Sequence, residues 1–243
     1  MKDLWLVIPT YNESANIIEL INRLRLISFD IGILIVDDNS PDGTANLVKQ
    51  KQQQDEFLHL LIRPDKLGLG SAYQLGFDYA LARGALVVGQ MDADLSHQPE
   101  DLPKLIDKIK NGYDVVIGSR RVSGGGIVGW GWYRRSASYS ANWLARRVLG
   151  LRTKDVTAGF RLYSKLALQE IDWQRVKSNG YAWQEEMIFW AERADLKIIE
   201  VPVLFIDRTQ GTSKLGGREI FSFFWTVIRL FRNKKIIRFK RMI

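Results

Sequence analysis

The chain has 243 residues, of which 46% are hydrophobic, and this composition suits one large globular domain with a full core. It contains no cysteine, which excludes disulfide bonds, thiolate metal ligands and a cysteine nucleophile. Its two histidines, His59 and His97, are too few for a histidine-rich metal site. The formal net charge of +8 favours anionic partners such as nucleotide phosphates, anionic lipids or nucleic acid.

Strand and helix patterns alternate along the first half of the chain. Short apolar runs predict five strands, at residues 4–8, 31–36, 57–62, 85–89 and 115–117. Amphipathic patterns predict helices between them, at about 15–27 with Ser14 as the N-cap, after residue 44, at about 68–83 and at 99–110. This alternation predicts an α/β fold with an open, mostly parallel sheet and helices on both faces.

The pattern changes after residue 121. A glycine-rich segment at 123–126 is followed by Trp130 and Trp132, which are either core aromatics or part of a mobile lid or a membrane contact. A basic helix is predicted at 133–149, and a further strand at 197–205. No linker in this half is clean enough to define a second folded domain.

The C-terminal segment, residues 220–243, is predicted to be an amphipathic basic tail on a domain formed by residues 1–219. It contains seven Lys or Arg residues and no acidic one. Its apolar part is too short to span a bilayer, which needs about 20 residues, so we predict a helix in the headgroup layer that meets anionic lipid. The alternative is that Phe221, Phe224 and Trp225 pack on the domain. The N-terminus has no signal-peptide pattern, and a protein facing the cytosol is expected.

Acidic side chains follow three of the predicted strands. Glu13 follows the first strand, Asp37 and Asp38 follow the second, and Asp92 and Asp94 follow the fourth. Because the carboxyl ends of parallel strands meet at one edge of a sheet, we expect one ligand-binding edge there. Two carboxylates one residue apart can hold a hard cation such as Mg²⁺, and the alternative is a solvated turn that caps the next helix. The chain has neither a Gly-x-Gly-x-x-Gly loop nor a P-loop.

Seven short motifs carry a resemblance to a known family. They are Ile-Pro-Thr-Tyr-Asn-Glu at 8–13, Val-Asp-Asp-Asn-Ser-Pro-Asp-Gly-Thr at 36–44, Met-Asp-Ala-Asp-Leu at 91–95, Gly-Ser-Arg at 118–120, Gly-Phe-Arg-Leu-Tyr at 159–163, Asp-Arg at 207–208 and Gly-Thr-Ser-Lys-Leu at 211–215. Together they resemble the family 2 glycosyltransferases with a GT-A fold. The later motifs resemble, more narrowly, the polyprenol (dolichol) phosphate mannosyltransferases, and the resemblance covers about residues 4–219.

The resemblance implies an inverting glycosyltransferase that moves mannose from GDP-mannose to a polyprenyl (dolichyl) monophosphate, with Mg²⁺ or Mn²⁺ as the cofactor. It implies peripheral attachment to the cytoplasmic side of a membrane without a transmembrane helix, and it leaves open a membrane-embedded partner subunit. A related enzyme that uses UDP-glucose or another nucleotide sugar stays open, because composition decides neither base nor sugar. Nucleic acid is not expected as a partner, since the basic residues accompany an apolar run instead of a nucleic-acid motif.

The resemblance also assigns roles to individual residues. The residues expected to bind the guanosine are Pro9, Tyr11, Glu13, Val36 and Asp38. Those expected at the donor phosphates and the metal are Asp92, Ala93, Asp94, Arg208 and Lys214. Those expected at the acceptor phosphate are Arg120, Arg134 and Ser138. The expected catalytic set is Asp92, Asp94, Arg120 and Arg134, and the alternative for the basic members is that they are solvated surface charges. Retention of the acidic and basic members disfavours a non-catalytic binding module.

Two positions depart from the family pattern. The family usually has Gln where this chain has Ser96, which we include with the metal ligands as a residue that acts through water or not at all. Relatives often have a basic residue and Gly in place of Tyr139 and the residue after it, on the polyprenol side. His97 is expected to be a structural hydrogen-bonding residue, since oxygen ligands suit Mg²⁺ better. Glu185 and Glu186 are interpreted as an exposed helix pair without a role.

Overall fold

The computed structural model describes residues 2–27, 29–180, 182–208 and 217–240, and the side chains of these except 175, 217–220 and 233–240. The strands are β1 (Leu4–Thr10), β2 (Ile31–Asp37), β3 (Leu58–Ile62), β4 (Val87–Gln90), β5 (Val115–Ser119), β6 (Gly126–Val128), β7 (Arg161–Ser164), β8 (Ile198–Pro202) and β9 (Leu204–Ile206). The helices are α1 (Ile17–Arg25), α2 (Thr44–Gln52), α3 (Leu69–Ala82), α4 (Leu102–Lys110), α5 (Trp132–Leu149), α6 (Lys165–Ile171), α7 (Ala182–Arg193) and α8 (Gly217–Lys240).

Seven strands form one sheet in the order β3-β2-β1-β4-β7-β5-β8. Strand β7 lies antiparallel between β4 and β5, and the other neighbouring strands pair in parallel. The predicted α/β fold is confirmed, but the sequence pattern missed β7 and merged β8 with β9. Strands β6 and β9 pair with each other in a second, small sheet.

Helices cover both faces of the large sheet, as strand β2 illustrates. All of its residues are buried. Ile33 and Ile35 pack into a core cluster with side chains from α1 and α4, whereas Leu34 and Val36 pack into a second cluster with side chains from α3 and α7. A continuous apolar run is typical of a strand that is covered on both sides.

Helix α1 begins later than the sequence predicts. It begins at Ile17 after Asn16, so the prediction that Ser14 is the N-cap is wrong. Ser14 instead donates its backbone N–H to the carboxylate of Asp42 at 2.9 Å. This tertiary hydrogen bond ties the loop after β1 to the loop after β2, and it overrides the local capping signal.

The interpretation of Glu185 and Glu186 as an exposed pair is wrong, because both are buried on α7. Burial raises the pKa of the Glu185 carboxyl well above its usual value. The Glu186 carboxylate accepts from the backbone N–H of Ser178 at 2.8 Å and from the guanidinium of Arg229 on α8. The polar pattern of α7 therefore marks internal contacts, one of which fastens α8 to the sheet layers.

Helix α8 packs against α5 and α7. Val227 and Leu230 are buried in the core cluster beneath it. The predicted boundary at residue 219 lies within this helix. Among the described residues, no helix combines the length and the apolar composition that a membrane crossing requires.

Candidate active site

The loops after β1 and β2 are joined by a dense set of hydrogen bonds. The buried carboxylate of Asp37 accepts from the Thr10 hydroxyl at 2.7 Å, and from the Ser40 backbone N–H and hydroxyl at 2.9 and 2.7 Å. The backbone N–H of Glu13 donates to the Thr44 hydroxyl at 3.0 Å. The Asp37 carboxylate therefore holds the two loops in place through these hydrogen bonds.

Asp38 and Tyr11, both expected at the guanosine, lie at this edge. The Nε of Arg63 donates to Oδ1 of Asp38 at 2.6 Å, and its Nη1 donates to the Ser71 hydroxyl at 2.6 Å. Burial raises the pKa of Asp38, and this effect outweighs the opposite effect of Arg63. Nζ of Lys66 lies 4.6 Å from the centre of the Tyr11 ring. The edge thus presents a carboxylate and an aromatic ring to a ligand.

The remaining residues expected at the guanosine differ in accessibility. Pro9 is partly buried at the end of β1, and Glu13 is buried with its carboxylate accepting from Asn16 at 3.0 Å. The side chain of Val36 is fully buried in the core cluster next to α3 and α7, so a contact of Val36 with the guanosine would have to use its backbone. Its role at the guanosine stays a prediction.

The turn after β4 carries the two candidate metal-binding carboxylates. It is mostly buried, and Leu95 adopts a left-handed conformation with φ of 59°. Ala93 lies in the core cluster of one sheet face. The Asp92 side chain is 30% exposed, whereas that of Asp94 is 10% exposed. The turn thus holds one carboxylate at the surface of the site and the other just inside it.

A histidine and two arginines lie near Asp92. Nε2 of His97 lies 3.5 Å from Oδ2 of Asp92. Burial raises the pKa of Asp92, but His97 and the charges of Arg120 and Arg208 reverse this effect, so the pKa lies below its usual value. His97 is fully buried and packs against Phe205, with 5.1 Å between ring centres, so it supports the turn on the side that faces the protein interior.

Asp94 is paired with Arg208. Nη2 of Arg208 lies 3.0 Å from Oδ2 of Asp94, and the other carboxylate oxygen accepts from the Ser96 backbone N–H at 3.1 Å. The Ser96 hydroxyl is buried and has no hydrogen-bond partner in the part of the chain that the structure describes. Arg208 therefore lies beside the carboxylate turn, whereas Lys214 lies outside the described residues.

This turn fits a hard divalent cation. Asp92 and Asp94 supply carboxylate oxygens, and the hydroxyl of Ser96 is a buried oxygen without a partner across the described ranges. Within those ranges, no cluster of three or more Asp, Glu or His side chains could hold a metal. A cation here would take two carboxylates from the protein and its other ligands from substrate phosphate and water, as is typical of Mg²⁺.

Arg120 follows β5 and is held by a buried carboxylate. Its Nε and Nη2 donate to the two oxygens of Asp155 at 2.8 and 2.7 Å, and Nη2 also donates to the Thr157 hydroxyl at 2.9 Å. Burial raises the pKa of Asp155, and the ion pair with Arg120 more than reverses this, so the pKa lies well below its usual range. Sequence reasoning missed Asp155, which lies 35 residues from its partner.

Ser138 on α5 is connected to the same buried carboxylate through Arg121. Nη2 of Arg121 donates to the Ser138 hydroxyl at 2.8 Å and to its carbonyl oxygen at 3.0 Å. Nε of Arg121 lies 3.8 Å from Asp155, and its guanidinium lies 4.7 Å from the centre of the Tyr139 ring. Arg121 was also missed, because the motif that flagged Arg120 ends one residue before it.

Arg134 is the most exposed of the candidate site arginines. Its Nη1 donates to both oxygens of Asp207 at 2.9 and 3.1 Å, and the guanidinium lies 4.1 Å from the centre of the Trp130 ring. Trp130 in turn packs against Phe205. The neighbours Asp207 and Arg208 therefore contact Arg134 and Asp94 respectively, and they join the expected acceptor side to the expected donor side.

The fold and this site define a class of enzyme. A sheet of this topology, with a carboxylate turn after β4 and arginines around it, is that of a GT-A-type glycosyltransferase. A model of glycosyl transferase family 2 matches residues 5–172. The chain belongs to this family and is a glycosyltransferase.

Two relatives narrow the comparison. The chain is 43% identical over 211 residues to an undecaprenyl-phosphate mannosyltransferase of Micrococcus luteus, covering 87% of this chain and 86% of the relative. It is 41% identical over 215 residues to a polyprenol monophosphomannose synthase of Mycolicibacterium smegmatis, covering 88% of this chain and 81% of the relative.

Solved structures agree on the fold. A glucosyl-3-phosphoglycerate synthase from Mycobacterium tuberculosis, in complex with Mn²⁺, UDP and glucosyl-3-phosphoglycerate, has a TM-score of 0.66 at 19% identity, covering 96% of this chain and 80% of its own. A mannosyltransferase from Pyrobaculum calidifontis, in complex with GDP-Man and Mn²⁺, has a TM-score of 0.61 at 16% identity, covering 94% and 64%. These likenesses confirm the GT-A-type fold.

Proposed function

We propose that the protein transfers mannose from GDP-mannose to a polyprenyl monophosphate, with inversion at the anomeric carbon. The names of the two relatives support mannose and a polyprenyl phosphate. The observation that carries the proposal is the convergence of Asp92 and Asp94 with Arg120 and Arg208, because these cations lower the pKa of Asp92 and one of them contacts Asp94. Such a site suits two anionic substrates.

The donor side must stabilise GDP as it leaves. Arg208, which pairs with Asp94, would contact the diphosphate as negative charge develops on it. Asp92 and Asp94 would hold Mg²⁺ or Mn²⁺, which supplies Lewis-acid neutralisation of the same charge when bound. Lys214 is expected to add a further positive charge. Asp38 and Tyr11 would receive the ribose and the base at the β1–β2 edge.

The acceptor side has a different task. A phosphate monoester is already anionic and nucleophilic at neutral pH, so a general base is not required. Arg134 would orient it through forked, charge-assisted hydrogen bonds, with Ser138 nearby. Arg120 would contact it through Nη1, since its Nε and Nη2 donate to Asp155 and Thr157. Holding both reactants in line can contribute roughly 7–11 kcal/mol in the best-oriented reactions.

The two acceptor arginines differ in how firmly they are held. Arg120 and Asp155 are both nearly or fully buried, so Asp155 would stay bound and fix the guanidinium. Arg134 and Asp207 are 39% and 29% exposed, so a phosphate could replace Asp207 with little loss of free energy. We propose that Arg120 is the fixed contact and Arg134 the exchangeable one.

Two adjacent helices support peripheral membrane attachment. On α8, Phe221, Phe224 and Trp225 are 71%, 44% and 58% exposed, which supports a lipid contact over the alternative in which these side chains pack on the domain. On α5, Trp132 and Trp143 are 79% and 60% exposed. Exposed aromatic side chains next to basic ones suit an interfacial lipid contact. The basic residues after 232 lie outside the described side chains and stay part of the prediction.

A donor and acceptor screen tests the proposal. The purified protein is incubated with radiolabelled GDP-mannose or UDP-glucose, Mg²⁺ or Mn²⁺, and a polyprenyl monophosphate in detergent. We expect one β-mannosyl phosphopolyprenol product from GDP-mannose. A clear preference for UDP-glucose would overturn the donor assignment, and transfer only to soluble acceptors would overturn the acceptor assignment.

A further inference from the structure

The Asp92 carboxylate lies against the backbone of a glycine, Gly159. A Cβ built on Gly159 would lie 2.8 Å from Oδ2 of Asp92 and 3.2 Å from Oδ1. Strands β4 and β7 pair with Gln90 opposite Arg161, and the same register continued places Asp92 opposite Gly159. The Asp92 carboxylate therefore occupies the space that a side chain at position 159 would fill.

A buried glutamine holds that backbone. Nε2 of Gln90 donates to the carbonyl oxygen of Gly159 at 3.2 Å and to Oε1 of Gln184 on α7. Oε1 of Gln90 accepts from the indole N–H of Trp183 at 3.4 Å. Both amide hydrogens and the amide oxygen of Gln90 are thus engaged, and a flipped amide would face two acceptors. Gln90, Trp183 and Gln184 are each at most 2% exposed.

The backbone of α7 is fixed at the same point. Nη1 of Arg161 donates to the carbonyl oxygen of Gln184 at 2.7 Å, and Nη2 donates to that of Val156 at 2.8 Å. Arg161 is fully buried and lies opposite Gln90 on β7. Polar side chains therefore connect three segments close to Asp92, namely the segment before β7, the start of α7 and the end of β4.

A buried polar group costs free energy unless it is hydrogen-bonded, so apolar residues would suit this position if packing were its only demand. We infer that Gln90 and Gln184 are positioning residues, which hold Gly159 against Asp92 and so keep its carboxylate oriented for the cation and the donor diphosphate. The inference rests on the proposed role of Asp92. Supporting groups around metal ligands typically change metal affinity or activity by about 10–100-fold when removed.

The test uses Gln90→Met, Gln184→Met and the double variant in the full chain. Free Mn²⁺ is measured by electron paramagnetic resonance with GDP present, together with KM and kcat for GDP-mannose and the midpoint of thermal unfolding. We expect each single variant to weaken Mn²⁺ binding by about tenfold. The double variant should recover part of the stability that Gln90→Met loses, since Gln184 no longer leaves an unpaired amide, but the Gly159 carbonyl and the Trp183 indole N–H still lack Gln90 and the weakened Mn²⁺ binding should remain.

Gln74→Met is the matched control. Its amide also donates to backbone carbonyls, those of Trp173 and Val176, but it lies on α3 and contacts neither Asp92 nor Gly159. It should lower the unfolding midpoint without changing Mn²⁺ affinity. Gly159→Ala tests the same step without touching the amides, because the three atoms nearest to the new methyl group all belong to the Asp92 carboxylate. We expect a folded protein with weakened Mn²⁺ binding.

Asp92→Asn separates the two ways in which the inference can fail. If Asp92→Asn weakens Mn²⁺ binding while Gln90→Met and Gly159→Ala bind within twofold of the parent, the positioning role is overturned and the proposed role of Asp92 stands. If Asp92→Asn binds Mn²⁺ and turns over like the parent, the proposed role of Asp92 fails and this inference fails with it. Recovery of both stability and Mn²⁺ affinity in the double variant would show a purely structural role.

Discussion

The two halves of the sheet edge hold their carboxylates in different ways. In the β1–β2 half, Asp37 is bound by neutral hydroxyl and backbone N–H donors from residues of the adjoining loops. In the β4–β5 half, Asp94 and Asp155 are bound by arginine side chains from distant segments, and Asp92 lies beside His97. Neutral donors hold a loop in place. Pairs of carboxylates and arginines instead keep opposite charges together at the site where we propose that the anionic substrates bind.

Asp38 is the exception in the first half, because it is paired with Arg63 instead of neutral groups. The resemblance assigns Asp38 to the nucleoside together with Glu13, whose carboxylate accepts from the neutral amide of Asn16. The first half therefore contains both kinds of pairing, and the comparison can be tested by removing carboxylates of each kind.

Asp94→Asn should have the largest effect on activity. A neutral amide is a poor ligand for a hard cation and a weak partner for Arg208, so we expect turnover to fall by about 10²–10³. The unfolding midpoint should fall less than in Asp155→Asn, because the pair of Asp94 with Arg208 is less buried than that of Asp155 with Arg120. The measurement is initial rate with GDP-mannose, alongside thermal unfolding. The matched change in the other half, Asp37→Asn, should instead lower the midpoint. Full activity of Asp94→Asn, or undiminished turnover in excess EDTA, would contradict the metal assignment.

Asp155→Asn should have the largest effect on stability. Removal of one member of a buried ion pair leaves Arg120 uncompensated and should cost about 3–5 kcal/mol of unfolding free energy. Because the folded-state pKa of Asp155 lies below the unfolded-state value of about 3.9, its stabilisation is complete above that value and declines as the pH falls below it. The difference between parent and variant should be constant from about pH 5 to 8 and shrink below about pH 4.

Denaturant unfolding at several pH values measures this difference. Asp207→Asn is the control, since the pair with Arg134 is partly exposed and should contribute at most about 1 kcal/mol. An equal loss in the two variants, or a difference that grows on acidification, would show that Asp155 does not stabilise the fold through its buried ion pair.

Arg134→Ala and Arg208→Ala should affect the binding of different substrates, the acceptor in the first variant and the donor in the second. Loss of one charge-assisted contact should raise the KM for polyprenyl phosphate about tenfold in Arg134→Ala and leave GDP binding unchanged. Arg208→Ala should weaken GDP binding in the presence of metal by a similar factor. Isothermal titration with GDP measures the second quantity, and equal losses of GDP affinity in both variants would refute the division.

Deletion of residues 234–243 should have the smallest effect on chemistry. It removes five basic residues, each of which contributes about 1 kcal/mol near an anionic surface. We expect less sedimentation with anionic liposomes at low salt and lower activity on a long-chain acceptor, with unchanged activity on a short soluble acceptor. A truncated protein that sediments as well as the intact one would exclude the tail as the anchor and would favour the exposed aromatic residues of α5 and α8.

Local patterns predicted much of the fold and part of the site. The alternation of apolar runs located β1–β5, and the acidic turns after β2 and β4 located Asp38, Asp92 and Asp94, because strand period and turn composition are local properties. The resemblance added Arg120, Arg134 and Arg208, but it could not show the partner of any of these residues. Each partner comes from another part of the chain.

Tertiary structure decided the rest, and the reason is that a polar side chain has no preferred partner in sequence. Strand β7 has only four residues and includes a buried arginine, so it does not read as a core strand until it lies between β4 and β5. The sequence pattern indicates that Glu186 is a solvated helix residue, whereas in the folded chain it accepts a hydrogen bond from Arg229 of α8. The sequence by itself determined which residues could carry chemistry, whereas burial and pairing across the chain determined which carboxylates build the loops and which face arginine at the site.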